Sequence, residues 1–165
     1  MPSRVSPAGW TTSPPAAPWR EPLTHPGRDP TPVPPGGAAR FLAVVQTARL
    51  EDRESFITAD GSSIRELAGV PTGNAVNQSL AEATVPPGAA TIEHYHRTSE
   101  EIYLFTQGMG RMRLGDEEGA IRAGDAVVIP PGVPHKLFNT GPEPLVLMCC
   151  CSPAYSHEDT VLLED

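Results

Sequence analysis

From about Phe41 onward the sequence never holds an apolar run for long. The runs "VNQSLAEATV", "TIEHYH", "EIYLF", "GRMRL", "AIR", "AVVIP", "HKLFN" and "LVLMCCC" are parted by "PPG", "QGMG", "GDEEG", "AGD", "PPGVP" and "TGPEP". Glycine and proline supply the positive or fixed φ that tight turns require, so each cluster ends one strand and starts another. Short runs punctuated about every eight to twelve residues predict an all-β sandwich or barrel. Ahead of them, "FLAVVQT" reads as a strand and "SFITADGS" as a strand followed by a turn. "SSIRELAG" predicts one short helix, because Ser63 and Glu66 have capping-box spacing and Gly69 suits a terminator. No segment repeats at a fixed period, which argues against a solenoid.

The chain has 165 residues, the size of one domain. Of its 20 prolines, 11 fall within residues 1–35, where there is no apolar periodicity. That composition predicts a disordered or polyproline-like tail over residues 1–40 and one folded domain over 41–165. The tail has neither the apolar core of a signal peptide nor the character of an amphipathic transit helix, and no run reaches the length of a membrane span. A soluble, cytoplasmic protein without a membrane partner is expected. Residues 41–165 carry seven Arg and one Lys (Lys136) against 18 acidic residues, a formal charge of −10. So acidic a domain repels a phosphate backbone, and nucleic acid is not an expected partner. The three cysteines, Cys149, Cys150 and Cys151, are contiguous, which makes no disulfide framework. They are expected to be reduced thiols that end a buried strand, with Cys149 and Cys151 packed on one face.

The stretch "HYHRTSEEIY" carries chemistry. Side chains alternate faces along a strand, so His94 and His96 point the same way and can converge on one ion. After a turn at "RTS", Glu101, Tyr103 and Phe105 share one face, and Glu100, Ile102 and Leu104 the other. Both sets contain apolar residues, so alternation alone leaves the inward face open. A second cluster, "GDAVVIPPGVPHKLFN", runs a strand expected to be buried, "AVVI", into a stiff proline-glycine turn that sets His135 at the start of the next strand.

Together these residues resemble the two signature motifs of the cupins, small β-barrels also called double-stranded β-helices or jelly rolls. The first motif is matched by Gly88, His94, His96, Glu101 and Gly108, and its spacing selects Glu101 over Glu100. The second is matched by Gly124, Pro130, Gly132, His135 and Asn139. Fifteen residues separate Gly108 from Gly124, similar to the short spacing of compact microbial cupins, and the resemblance covers about residues 76–151. It implies a single barrel in which His94, His96, Glu101 and His135 hold one divalent metal ion, with iron, manganese, zinc, nickel and copper all compatible with such ligands.

Three imidazoles and one carboxylate leave coordination positions open on an octahedral ion, the mark of a catalytic site. The resemblance therefore implies an enzyme acting on a small polar organic metabolite. An oxygenase-type oxidoreductase stands slightly ahead of an isomerase or lyase, and a non-enzymatic module binding a small ligand or metal is the alternative of another class. Tyr103 is the candidate catalytic residue beside the ligands, as hydrogen-bond donor or acid. Either Asn77 or Gln78 is expected to point inward, and Arg111 and Arg113 share a face from which they can meet an anionic substrate. His157 is expected at the surface, and His25 has no claim on a site. The resemblance also implies a homodimer formed through barrel faces, with "FLAVVQT" contributing a strand.

Overall fold

A computed structural model of the protein describes residues 45–164. The Pro-rich tail, His25 and the first part of "FLAVVQT" lie outside the described residues, and Val45–Thr47 form no strand. A single turn of 3₁₀-helix, Leu50–Asp52, precedes eleven strands: β1 (Phe56–Ile57), β2 (Ser63–Ala68), β3 (Ser79–Val85), β4 (His94–His96), β5 (Glu100–Gln107), β6 (Met109–Leu114), β7 (Glu117–Arg122), β8 (Ala126–Ile129), β9 (His135–Phe138), β10 (Leu145–Ser152) and β11 (Thr160–Leu162). They form two antiparallel sheets, one ordered β1-β2-β3-β10-β5-β8 and the other β11-β4-β9-β6-β7. This is the all-β jelly-roll barrel expected from the punctuation. No helix among the described residues is long and apolar enough to cross a membrane.

The core lies between the sheets. On β5 burial alternates strictly, with Glu101, Tyr103 and Phe105 inside and Ile102 and Leu104 outside, which settles the face that alternation left open. On β10, Leu145 and Leu147 are fully buried. Met112, Ile121, Ile129 and Leu137 close the core from β6, β7, β8 and β9. At about 1.5–3 kcal/mol for each large apolar side chain taken from water, these layers drive the sheets together.

Two local expectations are corrected. "SSIRELAG" is not a helix: Ser63–Ala68 is strand β2, paired with β1 on one side and β3 on the other. Cross-strand pairing and the packing of Ile64 on the core outweigh a capping-box spacing, since local propensity is the weaker term. "AVVI" is not buried throughout: β8 is an edge strand, where Ile129 is buried but Val128 is 53 % exposed. Strand β11 had no counterpart among the runs read from sequence, because "TVL" follows a polar segment and is too short to show alternation.

The motif residues without ligand chemistry act as fasteners. Asn139 is buried, donating from Nδ2 to the carbonyls of Val85 (2.9 Å) and Glu143 (2.8 Å) while its Oδ1 accepts from the Gly141 amide (3.0 Å). Gly108 has φ +82°, and a Cβ there would stand 2.6 Å from the Pro144 carbonyl oxygen, so two strands meet where only a hydrogen fits. Replacing Gly108 with alanine should therefore destabilise the barrel by at least about 1–3 kcal/mol from the backbone alone. A lowered urea midpoint with unchanged slope is the expected result.

Candidate metal centre

Strand register assembles the site. In the β4–β9 pair His94 lies directly opposite His135, and their ring centroids are 4.2 Å apart. His96 follows two residues along the same inward face. The stiff Pro130–Gly132 turn is tied back to it, because the Gly132 amide donates to the His96 carbonyl at 2.7 Å. Glu101 enters from the other sheet. His94, His96, Glu101 and His135 are all buried, and each offers a ligand atom within 4.8 Å of the others.

The outward ring nitrogens fix which atoms face inward. His94 donates from Nδ1 to the Ile92 carbonyl (2.9 Å), and His135 donates from Nδ1 to the Val133 carbonyl (3.2 Å). Thr160 Oγ1 donates its one proton to the Ser156 carbonyl (3.0 Å), so His96 Nδ1 is the donor in its 3.2 Å contact with that hydroxyl. Each histidine thus turns Nε2 toward the cluster, oriented as metal-ligating imidazoles are. His96 Nε2 sits 3.0 Å from Glu101 Oε2, two lone pairs that require a proton or a cation between them. His135 Nε2 is 3.4 Å from the same oxygen, is buried, and makes no hydrogen bond. A buried polar atom is costly to leave unpaired. A divalent cation satisfies all four groups at once, so the residues fit one.

The electrostatics agree. Burial lowers the His94 pKa, the charge of His135 adds to this, and the Ile92 carbonyl and Asp60 only partly oppose it, which favours the neutral imidazole that binds metals. Burial alone would raise the Glu101 carboxyl, but the facing imidazoles of His135 and His96 overcome it and hold the group well below the usual carboxylate range.

Beside the cluster is a cavity of about 60 Å³, above the roughly 10–15 Å³ that a single water requires. His94, His96 and Glu101 form part of its wall. Cys149 and Cys151 line it from β10, and Tyr155 and Thr160 from the C-terminal segment. Thr58, Asp60, Ser62 and Glu66 line it from the β1–β2 hairpin, with Phe56, 45 % exposed, also in its wall. The cysteines do share a face, as expected, but that face is a cavity wall. Cys151 donates its thiol to Glu101 Oε1 at 3.2 Å, and burial followed by the Glu101 charge raises its pKa.

Other residues singled out from sequence fall elsewhere. Tyr103 sits in the hydrophobic core with its ring edge-on to His135 at 5.8 Å, and the tyrosine in the cavity wall is Tyr155. Neither Asn77 nor Gln78 points inward: both precede β3 and are exposed, and Ser79 takes the lining position. Arg111 and Arg113 stay on the outer surface, paired with Glu118 and stacked over Phe138. His157 is exposed, as expected, and accepts or donates a hydrogen bond with Tyr155 Oη at 3.2 Å. Tyr155 and Asp60 carried no sequence signal beyond their residue types, because loops bring them to the cavity.

Comparison with known proteins agrees with this architecture. Residues 81–151 match the model of the cupin domain. The chain is 51 % identical over 109 residues to the uncharacterized protein MJ1618 of Methanocaldococcus jannaschii, covering 66 % of this chain and 87 % of that one. It is 36 % identical over 81 residues to protein SchB of Streptomyces halstedii, covering 49 % of this chain and 59 % of SchB. Among solved structures, a predicted oxalate decarboxylase of Thermotoga maritima superposes with TM-score 0.58 at 22 % identity, covering 66 % of this chain and 99 % of that one. Pac13 of Streptomyces, described as a nucleoside dehydratase, gives 0.59 at 18 % identity, covering 73 % of this chain and 92 % of Pac13. The chain belongs to the cupin family, and within it to the small single-barrel members with both motifs intact.

The site's protonation makes metal-free stability depend on pH. With its native pKa below the ordinary 6.5, His94 takes up a proton more readily once unfolded, so stability falls as pH drops through about 6.5. Glu101, held below its ordinary 4.5, adds stability above that pH and loses it on further acidification. The urea midpoint of chelator-treated protein should therefore fall steadily from pH 7 to pH 4, and His94→Gln should flatten the upper part of that fall.

Proposed function

We propose that the protein is a metal-dependent enzyme acting on a small polar organic metabolite held in the cavity beside His94, His96, Glu101 and His135. The observation that carries this reading is the convergence of four buried donors, one with an unpaired nitrogen, three of which form part of the wall of the adjoining cavity. A bound divalent ion would supply electrophilic activation of a substrate oxygen, and with iron or copper also redox chemistry.

This chain's own residues supply the rest. Glu101 and the three histidines fix the reacting end. Tyr155 holds a proton at Oη, since burial raises its pKa, and its contact with exposed His157 links the cavity wall to solvent. Tyr103 packs against His135 and braces it. An oxygenase is the first expectation from the motifs, but a cavity wall that includes a phenol and carboxylates gives specific support to proton-transfer chemistry, that of an isomerase or lyase. Similar proteins bearing the names oxalate decarboxylase and nucleoside dehydratase are compatible with that second reading. A ligand-binding module without turnover would use the same pocket.

Elemental analysis of protein purified without added metal should find about one equivalent of a transition metal, and none in His135→Ala. Oxygen uptake with a panel of diols, thiols and keto acids would support the oxygenase. Turnover without oxygen would support the isomerase or lyase, and metabolite binding without turnover the module. Loss of neither metal nor activity in His135→Ala would sink the enzymatic reading.

We also propose that the protein is a homodimer. On the outer face of the larger sheet Ile102, Leu104 and Val128 are 40 %, 44 % and 53 % exposed, and register sets Ile102 between Val128 and Cys150, with Leu104 beside Met148. Adjoining exposed apolar side chains on one sheet face suit a self-complementary contact. Light scattering should give a dimer mass, and Leu104→Glu should shift it to monomer with an unchanged circular dichroism spectrum.

A further inference from the structure

We propose that Asp60 is a specificity-determining residue of this cavity, a fixed carboxylate that accepts a hydroxyl group of the substrate and selects an uncharged polyhydroxylated molecule over its phosphorylated counterpart. The inference rests on the reading of the cavity as a substrate site and adds the class of substrate.

Asp60 lies in the turn between β1 and β2 and is anchored from both sides. Its Oδ1 accepts from the Thr58 hydroxyl, from the Ser62 amide (3.2 Å) and from the Ser62 hydroxyl (2.8 Å). Its backbone carbonyl accepts from the Ile92 amide at 2.7 Å, and the Ile92 carbonyl in turn accepts from His94 Nδ1. The hairpin is thereby fastened to the strand that carries two of the four ligands. All three side-chain contacts fall on one oxygen, and among the described residues Oδ2 takes no hydrogen bond and no basic side chain pairs with the group. The Ser62 contacts are those of an Asx turn, and they engage one oxygen of the carboxylate.

The surrounding charges make this a selective device. The charged side chains lining the cavity are Asp60, Glu66 and Glu101, beside two histidines, and no lysine or arginine is among them. The basic side chains that form ion pairs do so elsewhere: Arg65 with Glu82, Arg111 and Arg113 with Glu118, Lys136 with Glu164. A divalent ion would offset Glu101 and one further negative charge. A phosphate ester would bring about two more into a pocket whose lining holds no lysine or arginine to meet them and whose Asp60 and Glu66 repel them. A hydroxyl instead donates a charge-assisted hydrogen bond to Oδ2, the stronger kind.

The test uses full-length protein with its metal as purified, in the wild type and in Asp60→Asn. The amide keeps an oxygen for the Ser62 contacts while removing the charge. Ligand-observed NMR measures Kd for glycerol and dihydroxyacetone and for the phosphate ester of each, with metal content determined on the same samples. The expected result is that the wild type binds the neutral member of each pair at least tenfold tighter than its ester. Asp60→Asn should weaken the neutral probes about tenfold and narrow the preference over the ester, with metal content and melting temperature unchanged. A purely structural turn residue would leave the neutral-to-ester ratio where it was, and that outcome overturns the proposal. So does tighter binding of the esters, or no binding of any neutral probe to metal-loaded protein. Wild-type protein without metal would overturn the metal-site reading as well, which separates the two failures.

Discussion

The antiparallel register of β4 against β9 sets His94 opposite His135, and the site is built outward from that pair. A one-residue slip of β4 would turn His94 and His96 away from His135, since side chains alternate with period two. The molecule pins the register with backbone groups beyond the pair itself. The Gly132 amide binds the His96 carbonyl, and Thr91 and Leu137 exchange contacts, amide to carbonyl and amide to hydroxyl, each at 3.0 Å. Only with this alignment fixed can Glu101, carried by the opposite sheet, bring a buried carboxylate to within 3.0 Å of one imidazole and 3.4 Å of another. The jelly roll supplies what a single hairpin lacks, two faces closing on one point.

Much of this was legible in the sequence, and the reason is periodicity. Spacing of two puts His94 and His96 together in any strand, and motif spacing separated Glu101 from Glu100 where alternation alone did not. Turn clusters of glycine and proline marked strand ends because the backbone needs those residues there. The failures have equally physical causes. "SSIRELAG" carries a helix-start pattern, yet its partners lie in β1 and β3, and a local signal holds no information about distant neighbours. The run holding Asn77 and Gln78 becomes strand only at Ser79, the residue that lines the cavity. Asp60 and Tyr155 reach the cavity from irregular segments, where no period exists to predict direction.

The distribution of charge connects fold to chemistry. The domain is strongly acidic, yet its described ion pairs among Arg, Lys and carboxylates cluster on the outer surfaces, where each is worth little because water screens it. Inside, carboxylates face imidazoles rather than guanidinium or ammonium groups, and the balance of the pocket is left to whatever cation it holds. The same barrel carries unrelated reactions in different proteins. The hairpin, the two cysteines and the C-terminal segment supply the rest of the cavity wall around the ligand set.

Strand β11 pairs with β4, and through Thr160 it sets the tautomer of His96. A chain emerging from the ribosome exposes His94, His96, Glu101 and His135 well before residue 160 is free to fold. Until then, one imidazole lacks its orienting hydroxyl, and β4 still has an open edge. Vectorial synthesis thus leaves the orientation of His96 to a segment made after all four candidate ligands.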